Sequence, residues 1–213
     1  MEIIYSNKSN DLINNNKITG IYGDKTNLIN SGFVLEGIIY DDEWTVKRFL
    51  NGVKFKIDDR ILELFNELDI NTTLLKKKIK LLSKGQFKLI LLIYIILNKK
   101  EVVVLDYFDK GLSFKYKKRI INYLKNKYNG SLVVISNDLL FLNSICSKLI
   151  VFSNNKIVFN DTFDKIYDSN IKIEYPEIIK FIKLANKKGA KLLYTIDNYE
   201  LSKDIYRSVT WDI

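Results

Sequence analysis

Apolar and polar residues follow two recurring patterns along the chain. Short apolar runs bounded by glycine, asparagine or aspartate are typical of strands buried on both faces of a parallel sheet. Longer stretches with apolar residues three and four positions apart are typical of helices. These patterns predict strands at 17–22, 102–105 and 131–136, and helices at 58–68, 87–97, 115–128, 138–147, 177–186 and 199–207. Strands that alternate with helices predict an α/β fold, with a mainly parallel sheet flanked by helices.

Three smaller features complete this pattern. Residues 148–152 and 156–159 are predicted to form two short strands joined by a hairpin turn at Asn154-Asn155. The alternation in residues 1–5 predicts an edge strand, and the polar stretch 6–16 predicts a loop. One face of helix 58–68 is expected to be buried, and it carries Ile61, Leu62, Leu64, Phe65 and Leu68.

Composition narrows the class of protein. The 213 residues suffice for one α/β domain with a small appendage. The single cysteine, Cys146, excludes an internal disulfide framework, and the absence of histidine excludes imidazole chemistry. The first residues carry no charged-then-apolar leader, so we expect no signal peptide. The longest apolar run, 87–97, contains Lys88 and is too short to span a bilayer.

The net charge of +9 raises the question of an anionic partner. Lysines are scattered through the chain, and the tight basic cluster at 76–78 has no aromatic-interleaved basic stripe beside it. Charge without a motif or a patch is weak evidence for nucleic-acid binding. We therefore predict no nucleic-acid partner.

The most informative stretch is 82–112. It begins with Leu-Ser-Lys-Gly-Gln at 82–86, continues as the apolar helix, and reaches a buried strand that ends at Asp106. The carboxyl ends of parallel strands form the edge of an open α/β sheet where ligands bind. With Gly111-Leu112 after it, this stretch resembles the signature motif, Walker B strand and D-loop of ABC-type ATPases. The resemblance implies a P-loop ABC-type ATPase domain.

Residues 17–29 are similar to the strand, P-loop and helix of the same family. The resemblance assigns Gly23, Lys25 and Thr26 to ATP, together with Asp106, and assigns Thr26 and Asp106 to Mg²⁺. A working P-loop has glycine, four residues, and then Gly-Lys-Ser/Thr, so that consecutive N–H groups surround the phosphates. Here Asp24 alone separates Gly23 from Lys25. We expect a shortened loop in which the carboxylate of Asp24 repels phosphate.

Other family positions are also altered. The catalytic glutamate that follows the Walker B aspartate is replaced by Tyr107, and the H-loop histidine is replaced by Asn137. Glu36 stands where the family has the Q-loop glutamine. Hydrolysis needs a group that positions or activates water and charge stabilisation on the transferred phosphate. The resemblance therefore implies a degenerate ATP site in this chain.

The chain divides into two predicted regions. Residues 1–168 form an abbreviated ATP-binding domain with a helical subdomain at about 45–97, and residues 169–213 form a short helical C-terminal extension. The extension resembles that of the ATPases of energy-coupling factor importers, in which it helps to pair two ATPase subunits. It is therefore a candidate dimerisation element.

The resemblance predicts a nucleotide-binding subunit of an ABC-type membrane transporter on the inner face of the cell membrane. In ABC dimers each nucleotide lies between the P-loop of one subunit and the signature motif of the other. Ser83, Gly85 and Gln86 would complete the ATP site of a competent second ATPase, in a heterodimer rather than a homodimer, under an integral membrane component. Two alternatives stay open. The chain could be an active ATPase that uses Glu36 as its base, or a soluble pseudo-ATPase regulator without a membrane partner.

Overall fold

A computed structural model describes residues 3–6, 17–30, 36–52, 59–98 and 102–209. Its strands form one sheet in the order β3-β1-β4-β5-β2-β6-β7. The pairs β4–β5, β5–β2 and β2–β6 are parallel, whereas β1 and β7 each pair antiparallel with their neighbours. The predicted α/β class is confirmed. The strands are β1 Ile3–Ser6, β2 Ile18–Tyr22, β3 Glu36–Gly37, β4 Val102–Asp106, β5 Leu132–Ser136, β6 Lys148–Ser153 and β7 Lys156–Asp161.

Helices cover both faces of this sheet. The main ones fall where periodicity predicts them, within a few residues at each end. The helices are α1 Thr26–Asn30, α2 Val46–Asn51, α3 Asp59–Glu67, α4 Lys84–Asn98, α5 Phe114–Asn126, α6 Leu139–Ile145, α7 Phe163–Asp168, α8 Glu177–Lys187 and α9 Asn198–Val209. Two 3-10 segments, Thr72–Lys76 and Ile79–Leu81, connect α3 to α4. None of the helices in these described ranges is long and apolar enough to cross a membrane.

The central strands bury both of their faces. In β4, Val102 and Val104 pack with Leu28 of α1, whereas Val103 and Leu105 join the larger cluster on the opposite side. The α1 side is the smaller cluster because α1 is a single short helix. Burial on both faces explains why these strands read as continuous apolar runs in the sequence.

Two predictions are corrected by the structure. The strand predicted at the sheet edge, β1, lies between β3 and β4, because Glu36 and Gly37 pair along its outer side. Leu62 is 42% exposed and does not belong to the buried face of α3. That face is formed by Ile61, Leu64, Phe65 and Leu68, whose spacing keeps them on one side of a helix. The predicted loop at 6–16 lies, except for Ser6, outside the described residues.

The C-terminal helices pack on the same core as the sheet. Apolar residues of α8 and α9, including Ile179 and Leu201, belong to the larger cluster. Helix α8 ends at a turn in which Gly189 has φ 99°. Asn186 then holds the returning chain, because its side-chain amide accepts from the Leu192 N–H at 2.8 Å and donates to the Leu192 carbonyl at 2.9 Å. The domain boundary at residue 168 stays a prediction.

Candidate functional site

In the turn after β2, an acidic side chain accepts hydrogen bonds from residues of the same turn. Gly23 has φ 136°, a conformation that favours glycine, and α1 begins three residues later. The carboxylate of Asp24 accepts the backbone N–H of Thr26 at 2.9 Å and also accepts the Thr26 hydroxyl. The side chain of Asn27 donates to the Asp24 carbonyl at 3.3 Å. A fixed carboxylate therefore already occupies hydrogen-bond donors that a phosphate would need.

Tyr107 brings together the three positions that resemble the P-loop, the Walker B strand and the H-loop. Its hydroxyl donates to the carbonyl of Gly23 at 2.9 Å and accepts from Asn137 Nδ2 at 3.1 Å. The ammonium of Lys110 lies 3.6 Å from the centre of its ring. Burial, followed by the nearby charges of Asp24 and Asp106, raises the pKa of Tyr107. Tyr107 is therefore a neutral hydrogen-bonding bridge and not a base at neutral pH.

The backbone at Tyr107 is in an uncommon conformation. Its φ of 47° lies in the left-handed region, which bulky residues rarely adopt. Such a conformation persists where the surrounding contacts determine it. Those contacts include the two hydrogen bonds of the hydroxyl, the cation above the ring, and the backbone hydrogen bond from the Tyr107 N–H to the Ile135 carbonyl at 3.0 Å.

The predicted magnesium ligands provide oxygen atoms of the kind that Mg²⁺ prefers. Asp106 stands at the carboxyl end of β4, and the Thr26 hydroxyl is bonded to Asp24. In the described ranges no group of three or more histidine, cysteine, aspartate or glutamate side chains is arranged to hold a metal ion. Both side chains are oxygen ligands of the type that Mg²⁺ takes, and their assignment to one metal stays a prediction.

The predicted alternative base, Glu36, is described only in its backbone. It begins β3 and pairs with Tyr5. Its side chain lies outside the described residues, so its proposed part in catalysis stays a prediction.

The predicted signature motif forms the N-terminus of α4 as a capping box. The N–H of Ser83 donates to Gln86 Oε1 at 3.0 Å, and the N–H of Gln86 donates to Ser83 Oγ at 3.2 Å. Ser83 accepts with its hydroxyl oxygen, so its O–H hydrogen is available to a further acceptor, as is the amide NH₂ of Gln86. Ser83 and Lys84 are both exposed. The motif therefore orients donor groups outward at the positive end of a helix.

Gly85 has a packing role that the sequence alone did not reveal. It is buried, and a Cβ built there would lie 2.4 Å from Cδ2 of Tyr116 in α5. Real Cβ atoms do not come so close to a neighbouring ring, so the Tyr116 ring selects glycine at this position. The predicted contact of Gly85 with a nucleotide stays a prediction.

Lys88 and the turn after β4 are the part of this region that the motif comparison missed. Lys88 is 5% exposed, and its ammonium donates to the Phe108 carbonyl at 2.6 Å and to the Lys110 carbonyl. Beside it is a cavity of about 430 Å³. The signal in the sequence was a single lysine within an otherwise apolar helical run. The described residues that line the cavity are Lys84, Phe87, Lys88, Asp106, Tyr107 and Lys110.

The C-terminal extension reaches the same edge of the sheet. The N–H of Glu174 donates to the hydroxyl of Tyr22, at the end of β2, at 3.2 Å. A second cavity of about 320 Å³ lies between Asn137 and Asp138 on one side and the segment from Glu174 to Glu177 on the other. The extension thus packs next to the position that resembles the H-loop.

Two curated proteins are similar to this chain. The oligopeptide transport ATP-binding protein OppF of Mycoplasma genitalium is 21% identical over 159 residues, covering 73% of this chain and 19% of that protein. The tungstate uptake system ATP-binding protein TupC of Campylobacter jejuni is 25% identical over 166 residues, covering 75% of this chain and 49% of that protein. The chain thus spans about half of TupC and about a fifth of OppF. No protein-family model matches it.

The structural comparison agrees. A solved ATP-binding subunit of an ABC transporter matches with a TM-score of 0.60 at 11% identity, covering 79% of this chain and 92% of that chain. At that identity the match shows the fold. The chain therefore has the fold of ABC-transporter ATP-binding subunits, and the predicted resemblance to ABC-type ATPases is confirmed. The degenerate site and the likeness to energy-coupling factor ATPases stay predictions.

Proposed function

We propose that this chain is a nucleotide-binding subunit of an ABC-type membrane transporter whose own ATP site is degenerate and whose signature motif completes the ATP site of a partner subunit. The supporting observation is a contrast between two segments, the N-terminus of α4 and the turn after β2. The outward donors of Ser83 and Gln86 are held in a capping box, whereas the donors of Thr26 are already bonded to Asp24.

The proposed degeneracy of the ATP site follows from the negative charge of Asp24 and from the replacement of the catalytic glutamate by Tyr107. Phosphate oxygens would compete with the Asp24 carboxylate for the Thr26 N–H, and two anions at one short turn repel each other. Tyr107, where the family has a glutamate, donates its hydroxyl proton to the Gly23 carbonyl. Its raised pKa keeps it from abstracting a proton at neutral pH. We therefore expect no ATP turnover by the isolated chain.

In the proposed assembly the partner holds ATP and Mg²⁺. Ser83, Gln86 and the first-turn backbone of α4 supply donors to the phosphate, with Gly85 allowing the close packing of Tyr116 behind them. If this chain also binds nucleotide, Gly23, Lys25 and Thr26 would face the phosphates, and Thr26 and Asp106 would hold the metal. The metal would neutralise charge on the phosphate.

The proposed partners are a second ABC ATPase and an integral membrane transport component. We propose a heterodimer rather than a homodimer, because an identical copy would lack a competent loop. This places the chain on the inner face of the cell membrane. The extension, α8 and α9, is the proposed dimerisation element, and it carries the exposed apolar side chains Phe181, Leu184 and Tyr206. An importer of the energy-coupling factor type is the form of transporter we propose.

The test is ATP binding and hydrolysis by the purified chain with Mg²⁺, alone and with a candidate partner ATPase. We expect no turnover alone, turnover in the mixture, and loss of that turnover in Ser83→Arg. The matched control is Ser153→Arg, at the exposed end of β6 and outside both the motifs and the extension. Turnover by the chain alone that disappears in Lys25→Ala would overturn the proposal.

A further inference from the structure

Lys88 is a charged residue in the interior of an apolar helix. Every other buried residue of α4 is glycine or apolar, and Lys88 is only 5% exposed. Placing an ammonium group in such surroundings is unfavourable unless its protons are hydrogen-bonded. The position of the groups that accept hydrogen bonds from Lys88 therefore indicates its structural role.

All the partners of Lys88 lie in one turn. The ammonium donates to the Phe108 and Lys110 carbonyls and lies 3.5 Å from the Tyr107 carbonyl. This turn joins β4 to α5 and contains two left-handed residues, Tyr107 and Gly111, with φ of 47° and 72°. The bend points these carbonyls toward the same place, and their contacts with Lys88 are buried or partly buried. One side chain satisfies them.

We infer that Lys88 is a positioning residue that couples the signature end of α4 to the turn 107–111. It stands two residues after Gln86, in the helix that the capping box begins, and its far end is bonded to the turn that follows Asp106. A displacement of either segment therefore strains the same hydrogen bonds. The use of this coupling in ATP-driven transport rests on the function proposed above. The hydrogen-bonded connection between α4 and the turn does not depend on that function.

The charged groups around Lys88 indicate that its hydrogen-bond donors matter more than its charge. Burial, only partly offset by Asp109 and reinforced by the charges of Lys84 and Lys117, lowers the pKa of Lys88 to about 8. Asp106, Tyr107 and Lys110 line the adjoining cavity. A neutral lysine amine still donates two N–H bonds, so the contact to the turn survives loss of the proton.

Hydrogen exchange of the full chain, measured by mass spectrometry without nucleotide, tests the contact. Lys88→Met keeps the length and removes the donors, and Lys88→Gln keeps two donors. We expect amides of 107–112 to exchange on the order of tenfold faster in Lys88→Met, with partial recovery in Lys88→Gln. Strand β5 should be unaffected, and Lys118→Met, an exposed lysine of α5, should behave as the wild type. Wild-type exchange of 107–112 in Lys88→Met would overturn the inference.

A double-mutant cycle separates coupling from packing. Gln86→Ala breaks the capping box, and in the Lys88-containing chain it should also accelerate exchange at 107–112. The same substitution added to Lys88→Met, or to Lys88→Gln if the methionine variant does not fold, should have a smaller effect on that turn. If Gln86→Ala changed exchange at 107–112 equally in both backgrounds, Lys88 would not couple the capping box to the turn. No nucleotide or partner enters this experiment, so its failure is distinct from a failure of the Ser83→Arg test.

Discussion

The hydroxyl of Tyr107 lies 2.9 Å from the carbonyl oxygen of Gly23, although 84 positions separate the two residues in the chain. The same hydroxyl accepts from Asn137. Side chains at two positions where ABC ATPases carry catalytic groups are therefore bonded to each other and to the backbone of the loop that should hold phosphate. These contacts connect the ends of three strands, β2, β4 and β5, at one edge of the sheet.

Removing this hydroxyl should loosen the turn without emptying the core. Tyr107→Phe keeps the ring beneath Lys110 and loses both hydrogen bonds, so we expect the free energy of unfolding to fall by about 1 kcal/mol. Denaturant titration measures this, and Tyr199→Phe is the neutral control because Tyr199 is 68% exposed. Equal losses in the two variants would show that the bridge contributes nothing.

Asp24 should be the main obstacle to phosphate at this loop. Asp24→Gly removes the carboxylate and creates Gly-Gly-Lys-Thr, so we expect affinity for a fluorescent ATP analogue to rise about tenfold as the repulsion is lost. Because the hydrogen bond from the Thr26 N–H at the start of α1 is also lost, the free energy of unfolding should fall by roughly a few tenths of a kcal/mol, the usual cost of replacing a capping residue by glycine. Asp168→Asn, at the exposed end of α7, controls for net charge. Unchanged affinity in Asp24→Gly would mean that the loop length alone excludes the nucleotide.

Gly85 should be intolerant of a side chain because of Tyr116. Gly85→Ala forces a methyl group against the ring, and we expect a loss of about 1–3 kcal/mol in the free energy of unfolding. The matched control is Gly37→Ala, where nothing in the described ranges lies within 4 Å of an added Cβ. Adding Tyr116→Leu to Gly85→Ala should recover part of the loss. A purely additive double mutant would contradict the contact.

Lys88 should give stability a distinctive dependence on pH. Its folded pKa of about 8 lies below the value of about 10.4 for lysine in an unfolded chain. Between these values the unfolded chain binds more protons, so the contribution of Lys88 to the free energy of unfolding rises with pH. The difference between the wild type and Lys88→Met, measured by denaturation from pH 7 to 10, should therefore increase above pH 8 in favour of the wild type. A flat difference would show that the lysine has an ordinary pKa.

Cys146 should be unreactive in the native protein. It is buried, and burial raises the pKa of its thiol, so little thiolate forms and reagents cannot reach it. We expect a thiol reagent to label less than a tenth of the protein in the time that labels it fully in denaturant. Rapid labelling of the folded protein would show that this part of the core opens.

The sequence by itself determined the fold class and most element positions. Strands buried on both faces leave a continuous apolar run, and amphipathic helices leave a period of three to four, so both signals are local. The signature stretch 82–86 and the strand ending at Asp106 were recognisable because they occur in the order and at the spacing that ABC-type ATPases have. The hairpin at Asn154-Asn155 followed from turn chemistry, and both residues have φ near 50–60°.

Only the tertiary structure decided which distant residues meet. The place of β1 inside the sheet depends on its pairing with β3, and the bridge from Gly23 to Asn137 depends on three strand ends converging on one edge. The partners of Lys88 and the ring over Gly85 likewise come from other elements. Such contacts are made between residues far apart in the chain, and local periodicity carries no information about them, because any apolar or polar residue at the same spacing would produce the same pattern.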